Sequence, residues 1–269
     1  MTSIDAALHA AVSRLAETPT LVVASDFDGT LSPIVDDPHA AAGFPPCVAA
    51  LRTLASLADT HVVIISGREL AVLHRISGLG PPVELIGSHG AERAGAAPAP
   101  RSSHAAPLDE LMATLAEIIG RTEGVLLEPK PTGAAVHVRN VADRAAAAAV
   151  VAAVRAGPGR LPGVRTILGK EVVEFTIATE SKGSALAERI ASLMPDATLF
   201  VGDDVTDEDA FAALGPDDVG IKVGAGRSLA GYRVADVPAV GEVLALLADL
   251  RSGAVERRPP AIRQRPCRE

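Results

Sequence analysis

Five short apolar runs, each ending abruptly in small or polar residues, limit this chain more than any other feature. Residues 21–24 run into Ser25-Asp26, 61–65 into Ser66-Gly67-Arg68, and 83–86 into Gly87-Ser88-His89-Gly90. Residues 198–201 run into Gly202-Asp203-Asp204, and 220–223 form a fifth, weaker run. Helical patterns separate them, at 49–57 and at 184–193, where Leu186, Ile190 and Leu193 share one face. Buried strands alternating with helices predict an α/β core with a mainly parallel sheet. Ligands of such sheets bind beyond the carboxyl ends of the strands. The polar clusters fall at those ends.

Residues from about 107 to 177 follow another order: helix, strand, strand, helix, strand, strand. The helices are expected at 108–119 and 142–155. Val136 and Val138 share one strand face, and Ala135, His137 and Arg139 the other. Likewise Val173, Phe175 and Ile177 oppose Val172, Glu174 and Thr176. A sheet with one apolar and one polar face packs helices on the first and shows the second to water or ligand. The expected organisation is core at 1–106, an inserted α+β module at 107–178, core again at 179–250, and a mobile Arg- and Pro-rich tail at 251–269. Pro98 and Pro100 mark the approach to the module, and Leu168-Gly169-Lys170 turns its last hairpin.

Composition excludes several classes. The formal net charge of −8 argues against general affinity for nucleic acid, which needs clustered Lys and Arg. No long uncharged apolar run suits a membrane span. Asp5, Arg14 and Glu17 interrupt the N-terminus, whose Ile4, Leu8, Val12 and Leu15 predict an amphipathic helix rather than a secretory leader. Cys47 and Cys267 lie far apart and suit no metal spacing, so a cytoplasmic location is the expectation.

The clusters carry chemistry. In Asp26-Phe27-Asp28-Gly29-Thr30, one carboxylate can attack phosphorus and form an aspartyl-phosphate. The other can protonate a leaving oxygen and later activate water. Gly29 lets the backbone turn tightly and approach a phosphate. An acidic turn would use the same residues. Ser66 can donate to a phosphate oxygen or cap a helix. Lys182 precedes a helix, where anions are favoured, and can hold a phosphate or sit in solvent. In Gly202-Asp203-Asp204-Val205-Thr206-Asp207-Glu208-Asp209 so many acids at a strand end repel each other. A cation with a taste for carboxylate oxygen, such as Mg²⁺, relieves that. The helix dipole accounts for Glu208 and Asp209 but less well for Asp203 and Asp204.

Together these clusters resemble the haloacid dehalogenase-like phosphatases, and more closely the trehalose-6-phosphate phosphatases. The segments that carry this likeness are 26–34 (DFDGTLSPI), Ser66-Gly67-Arg68, 87–92 (GSHGAE) and 202–211 (GDDVTDEDAF). Glu128-Pro129-Lys130, His137-Val138-Arg139-Asn140 and 169–174 (GKEVVE) extend it into the inserted module, although Pro129 and Pro131 depart from the pattern. The resemblance implies a Rossmann-like core with helices on both faces and a cap whose polar face grips a sugar. It implies Asp26, Asp28, Ser66 and Lys182 as catalytic, and Mg²⁺ held by Asp26, the Asp28 carbonyl and Asp203, with Asp204 or Asp207 orienting metal-bound water. It further implies that Gly29, Thr30, Arg68, His89, Gly90, Glu128, Lys130, Arg139 and Glu174 meet the substrate. The expected activity is release of phosphate from trehalose 6-phosphate. Other sugar phosphates, such as sucrose phosphate or a glycosyl-phosphoglycerate, and a non-catalytic regulatory domain on the same fold are the alternatives.

Overall fold

The computed structural model describes residues 4–35, 37, 40–94, 105–120, 122–130, 132–169, 171–177 and 179–258. The chain opens with α1 (Ala6–Glu17) and β1 (Leu21–Ser25). It alternates through α2 (Pro45–Ser56), β2 (Thr60–Ile65), α3 (Leu70–Ser77) and β3 (Glu84–Gly87) to a short β4 (Glu92–Arg93). Next come α4 (Ala105–Ile119), β5 (Leu126–Lys130), β6 (Gly133–His137), α5 (Arg144–Ala156), β7 (Arg165–Gly169) and β8 (Val172–Thr176). The chain returns through α6 (Lys182–Leu193), β9 (Ala197–Gly202), α7 (Glu208–Phe211), β10 (Val219–Val223), β11 (Tyr232–Val234) and α8 (Val237–Arg257).

The larger sheet runs β11-β10-β9-β1-β2-β3-β4. All its pairs are parallel except β3 with β4. Every residue of β1 is buried, because helices cover both faces. Leu21 and Val23 pack in the layer of α1, α2, α3 and α8. Val22 and Ala24 face α6 and α7 on the other side. There Phe200 and Phe211 meet edge to face, with ring centres 5.3 Å apart. From β1 the chain proceeds outward to β2 and β3 on one side, and later to β9, β10 and β11 on the other. Strand order therefore reverses at β1, which makes its carboxyl end the natural ligand crevice. Ser25 lies opposite Ile64 on one side and Val201 on the other. Asp26 thus emerges between the loops that follow β2 and β9.

The second sheet, β5-β6-β8-β7, is antiparallel throughout. Leu111 and Leu115 of α4 and Val150 and Val154 of α5 pack on Ala134, Val136, Val173 and Phe175, a core of its own. The opposite face carries one cross-strand row, Glu128, Ala135, Glu174 and Ile167, in register. Pro129 is accommodated because β5 is an edge strand, where a missing N–H breaks no ladder on its outer side.

Two expectations need correction. The helix expected from residue 49 starts at Pro45, since two prolines at its first turn are pre-set for helical φ. The segment read as a tail from 251 is helical as far as Arg257. Residues 259–269, including Cys267, lie outside the described residues, as do Pro98, Pro100 and Lys170. No described helix is long and apolar enough to cross a membrane.

Arg251 explains why the last helix is anchored. Its side chain is fully buried. Nε donates to Thr60 Oγ1 at 2.6 Å, Nη1 to the Thr18 carbonyl at 2.8 Å, and Nη2 to the Asp59 carbonyl at 2.8 Å. Ala16 and Pro19 carbonyls accept longer bonds. These acceptors lie at the end of α1 and on the approaches to β1 and β2, where helix-end carbonyls lack intrahelical partners. Burial lowers the guanidinium pKa to about 10, with Arg258 adding to it, so the group stays charged at neutral pH. Replacing Arg251 with Met strands several buried acceptors and is expected to cost about 3 kcal/mol of stability. Urea denaturation measures this, and a loss under about 1 kcal/mol would show that the buried guanidinium does not tie the three elements together.

Candidate active site

At the carboxyl ends of β1 and β9 a buried lysine joins two carboxylates. Lys182 Nζ lies 2.7 Å from Asp26 Oδ1 and 2.8 Å from Asp207 Oδ1. All three side chains are almost wholly buried. The lysine arrives at the first turn of α6, whose Ser181 N-cap bonds the Ser184 amide and starts the helix at this point. The other oxygen of Asp207 accepts the amides of Asp203 and Asp204, at 2.8 and 2.9 Å. Gly202 permits this loop, because a Cβ there would lie 2.4 Å from the Asp207 carboxyl carbon.

Asp203 completes the group. Asp26, Asp203 and Asp207 each offer an oxygen within 4.8 Å of the others, a set that could hold a metal ion. Gly29, at φ +80°, brings the loop after β1 against Asp203; a Cβ on it would sit 2.1 Å from Asp203 Oδ2. Thr30 is buried beside them, and its hydroxyl donates to Asp203 Oδ1 at 3.4 Å. Asp26 and Asp207 thus flank the Lys182 ammonium, and Asp203 lies beside them. Burial drives the Asp26 carboxyl well above its ordinary range; Lys182 opposes this, while Asp207 and Asp203 add to it. Burial and Asp207 push Asp203 to about 6. Burial also works against the Lys182 ammonium, but Asp207 and Asp26 more than offset it and keep it charged. The residual negative charge suits a hard, oxygen-seeking cation.

The remaining sequence candidates divide between this cluster and its surroundings. Asp28 is gripped by Arg68 in a fork, Nε to Oδ2 at 2.8 Å and Nη2 to Oδ1 at 2.7 Å. Ser66 is buried at the end of β2, and its oxygen accepts the Arg68 amide at 3.1 Å. Asp204 does not join the acidic group; its carboxylate caps the following 3-10 turn through the Val205 amide. Gly90, at φ +121°, packs closely against the Ser181 carbonyl that precedes Lys182.

A second group spans the two sheets. Glu174 of β8 accepts a hydrogen bond or ion pair from each side, Lys130 Nζ at Oε1 and His89 Nε2 at Oε2, the latter 3.0 Å away. Burial alone would raise the Glu174 carboxyl, but His89 and Lys130 hold it far below the carboxylate range. His89 follows β3 at φ 55°, a conformation uncommon outside glycine. Glu128 pairs with His137 at 2.8 Å, and that bond lowers its pKa. Arg139 lies beyond the end of β6 and donates to the Val35 carbonyl at 3.0 Å, so it touches the loop after β1.

Sequence reasoning missed Lys222 and Ile167. Lys222 is buried in β10; its Nζ bonds the Asp203 carbonyl and reaches the Asp204 carbonyl at 3.4 Å. A lysine inside an apolar run was the available signal. Ile167 lies directly across from Glu174, a pairing that only strand register reveals. Asp207 supports both the buried lysine and the acidic loop. Asp207→Ala is expected to cost about 3 kcal/mol, the low end for breaking a buried ion pair, since Asp26 still partners Lys182. Chemical denaturation of the variant tests this; stability equal to the parent would refute the bracing role.

Comparison with known proteins identifies the family. The family model for trehalose-phosphatase matches residues 24–237. A trehalose-phosphate phosphatase of Mycobacterium marinum is 41% identical over 223 residues, covering 76% of this chain and 54% of that protein. The chain thus spans about half the length of that relative. A Mycobacterium tuberculosis protein described as an uncharacterized glycosyl hydrolase is 38% identical over 277 residues, 94% of this chain and 20% of its own length. The solved C-terminal domain of a C. albicans trehalose-6-phosphate phosphatase superposes with a TM-score of 0.81 at 22% identity, covering 93% of this chain and 99% of that one. That likeness concerns the fold, and it bears out the expected haloacid dehalogenase-like α/β architecture. With the family match extending from the residues before Asp26 to beyond the acidic loop, the chain belongs to the trehalose-phosphatase family.

Proposed function

We propose that the protein is a Mg²⁺-dependent phosphatase that hydrolyses trehalose 6-phosphate to trehalose and phosphate. The observation that carries the reading is the buried group of Asp26, Asp203 and Asp207 around Lys182. Its family membership and the relatives named for this activity support the substrate.

Asp26 is the nucleophile. Its oxygen attacks phosphorus as the ester bond to the sugar oxygen breaks, giving an aspartyl-phosphate. Asp28 gives its proton to the departing sugar oxygen. It then takes a proton from the water that attacks the phospho-enzyme, so phosphate leaves and Asp26 is restored. In the structure Asp28 is forked to Arg68, so it must turn from that partner to reach the ester. Lys182 offsets charge on the phosphoryl oxygens and fixes Asp26. Ser66, whose oxygen already accepts an amide, donates a hydrogen bond to a phosphate oxygen. Mg²⁺ suits the donor set of Asp26 and Asp203, with the Asp28 carbonyl; bound there it supplies positive charge to the transferring phosphoryl group. Asp207 spends its oxygens on Lys182 and two amides and so braces this set. Asp204, turned to its capping bond, stands further back.

Selection of the sugar falls to the second sheet. Glu128, Lys130 and Glu174 combine acceptors and a donor suited to hydroxyls. With His89, Arg68 and Arg139 they border the space between the sheets, while Gly29, Thr30 and Gly90 shape its floor. A cytoplasmic location accords with the free, buried Cys47.

Asp26→Asn is expected to lower phosphate release from trehalose 6-phosphate by about a thousandfold or more with a folded protein, as judged by circular dichroism. Turnover near the parent value would remove Asp26 as the nucleophile. Treatment with EDTA is expected to abolish activity and added Mg²⁺ to restore it; full activity after thorough metal removal would sink the metal assignment.

A further inference from the structure

Lys222 has no part in the chemistry set out above, yet it is only 5% exposed, inside the apolar strand β10. An ammonium is kept out of water only where hydrogen bonds and opposite charge compensate it. Strand register sets Lys222 opposite Gly202, the last residue of β9, so its side chain ends at the loop that carries Asp203. Its hydrogen bonds go to the backbone of that loop. Nζ donates to the Asp203 carbonyl, its nearest partner, and reaches the Asp204 carbonyl at 3.4 Å. Opposite charge is more distant. Glu208 Oε1 lies 4.0 Å away, and the other Glu208 oxygen accepts the Leu229 amide at 2.7 Å.

The same two residues are held from their amide side. Asp207 Oδ2 accepts the amides of Asp203 and Asp204, at 2.8 and 2.9 Å. The N–H and the C=O of one residue belong to different peptide planes, and only two soft dihedrals lie between those planes. Pinning both planes at Asp203 therefore fixes the direction in which its side chain leaves the backbone. That side chain offers an oxygen within 4.8 Å of those of Asp26 and Asp207. Lys222 thus acts on the acidic group through the backbone of Asp203.

We infer that Lys222 is a positioning residue, which holds the Asp203 and Asp204 carbonyls so that Asp203 stays aimed into the acidic group and binds a cation more tightly. The inference rests on the metal-dependent phosphatase reading above. Groups that orient a metal ligand in this way change metal affinity by about 10–100-fold when removed. A lysine acting by its charge alone would do the reverse, because its removal takes positive charge away from a cation site. The sign of the change therefore separates the two roles.

The test measures binding of Mn²⁺ to the full chain without substrate, Mn²⁺ standing in for Mg²⁺ as another cation suited to carboxylate oxygen. Electron paramagnetic resonance reads the free ion. Lys222→Met removes the donors and keeps the apolar stem, and Lys222→Gln leaves a shorter polar end. Each is expected to weaken Mn²⁺ binding about tenfold. The Mg²⁺ concentration giving half-maximal phosphate release from trehalose 6-phosphate is expected to rise in the same proportion. Unchanged or tighter Mn²⁺ binding in a folded variant overturns the proposal, even where its melting temperature falls. Thermal melting checks that each variant is folded, and Lys222→Gln decides alone if Lys222→Met is not. Failure of the parent protein to bind Mn²⁺ would instead refute the metal assignment itself.

Discussion

The ion pair that Lys182 makes with Asp26 and Asp207 is the constraint around which the rest of this molecule is arranged. Burying three charged groups is costly unless each is paired and hydrogen-bonded. The fold meets that demand with two amides on Asp207, a helix start that delivers the lysine, and two glycines that let the loops close. Asp203 adds a further carboxylate beside this ion pair, and burial with the neighbouring carboxylates raises the Asp26 and Asp203 carboxyl groups above their ordinary range. A cation at this set would relieve that crowding, which accords with the proposed metal site.

The two sheets divide the proposed work. The parallel sheet supplies charge and rigidity at its switch point, where β1 is flanked by β2 and β9. The antiparallel sheet supplies one polar face for a hydroxyl-rich ligand. They meet through His89 and Glu174, and through Arg139 and the Val35 carbonyl. Because Glu174 is held from both sides, its orientation depends on the position of the second sheet over the first. The carboxylate proposed to meet the sugar is thus also one of the contacts that join the two sheets.

Much of this was legible beforehand. Strands buried on both faces leave apolar runs too plain to mistake, and the positions of β1, β2, β3, β9 and β10 follow from them. The order of elements in the second unit followed from its two periodicities. The acidic loop was legible as a group, but not its internal division. Asp204 and Asp207 look alike in the sequence, and only the turn at 205–207 makes one a cap and the other a brace. Arg251 sits in an Arg- and Pro-rich stretch that reads as solvated. Its burial depends on carbonyls contributed by residues 16–19 and 59, more than 190 positions away.

By itself the sequence determined the class of fold and the chemical groups available, because burial periodicity and residue type are local properties. Asp26, Asp28, Ser66, Lys182 and Asp203 could be named from their places at strand and helix ends. Tertiary structure decided which of them touch. It joined Asp26 to Lys182 and Asp207, parked Asp28 on Arg68, turned Asp204 away and set Ile167 and Arg165 on the same sheet face as Glu174. Those outcomes depend on strand order and register, which bring together residues far apart in the chain and cannot be read from any one segment.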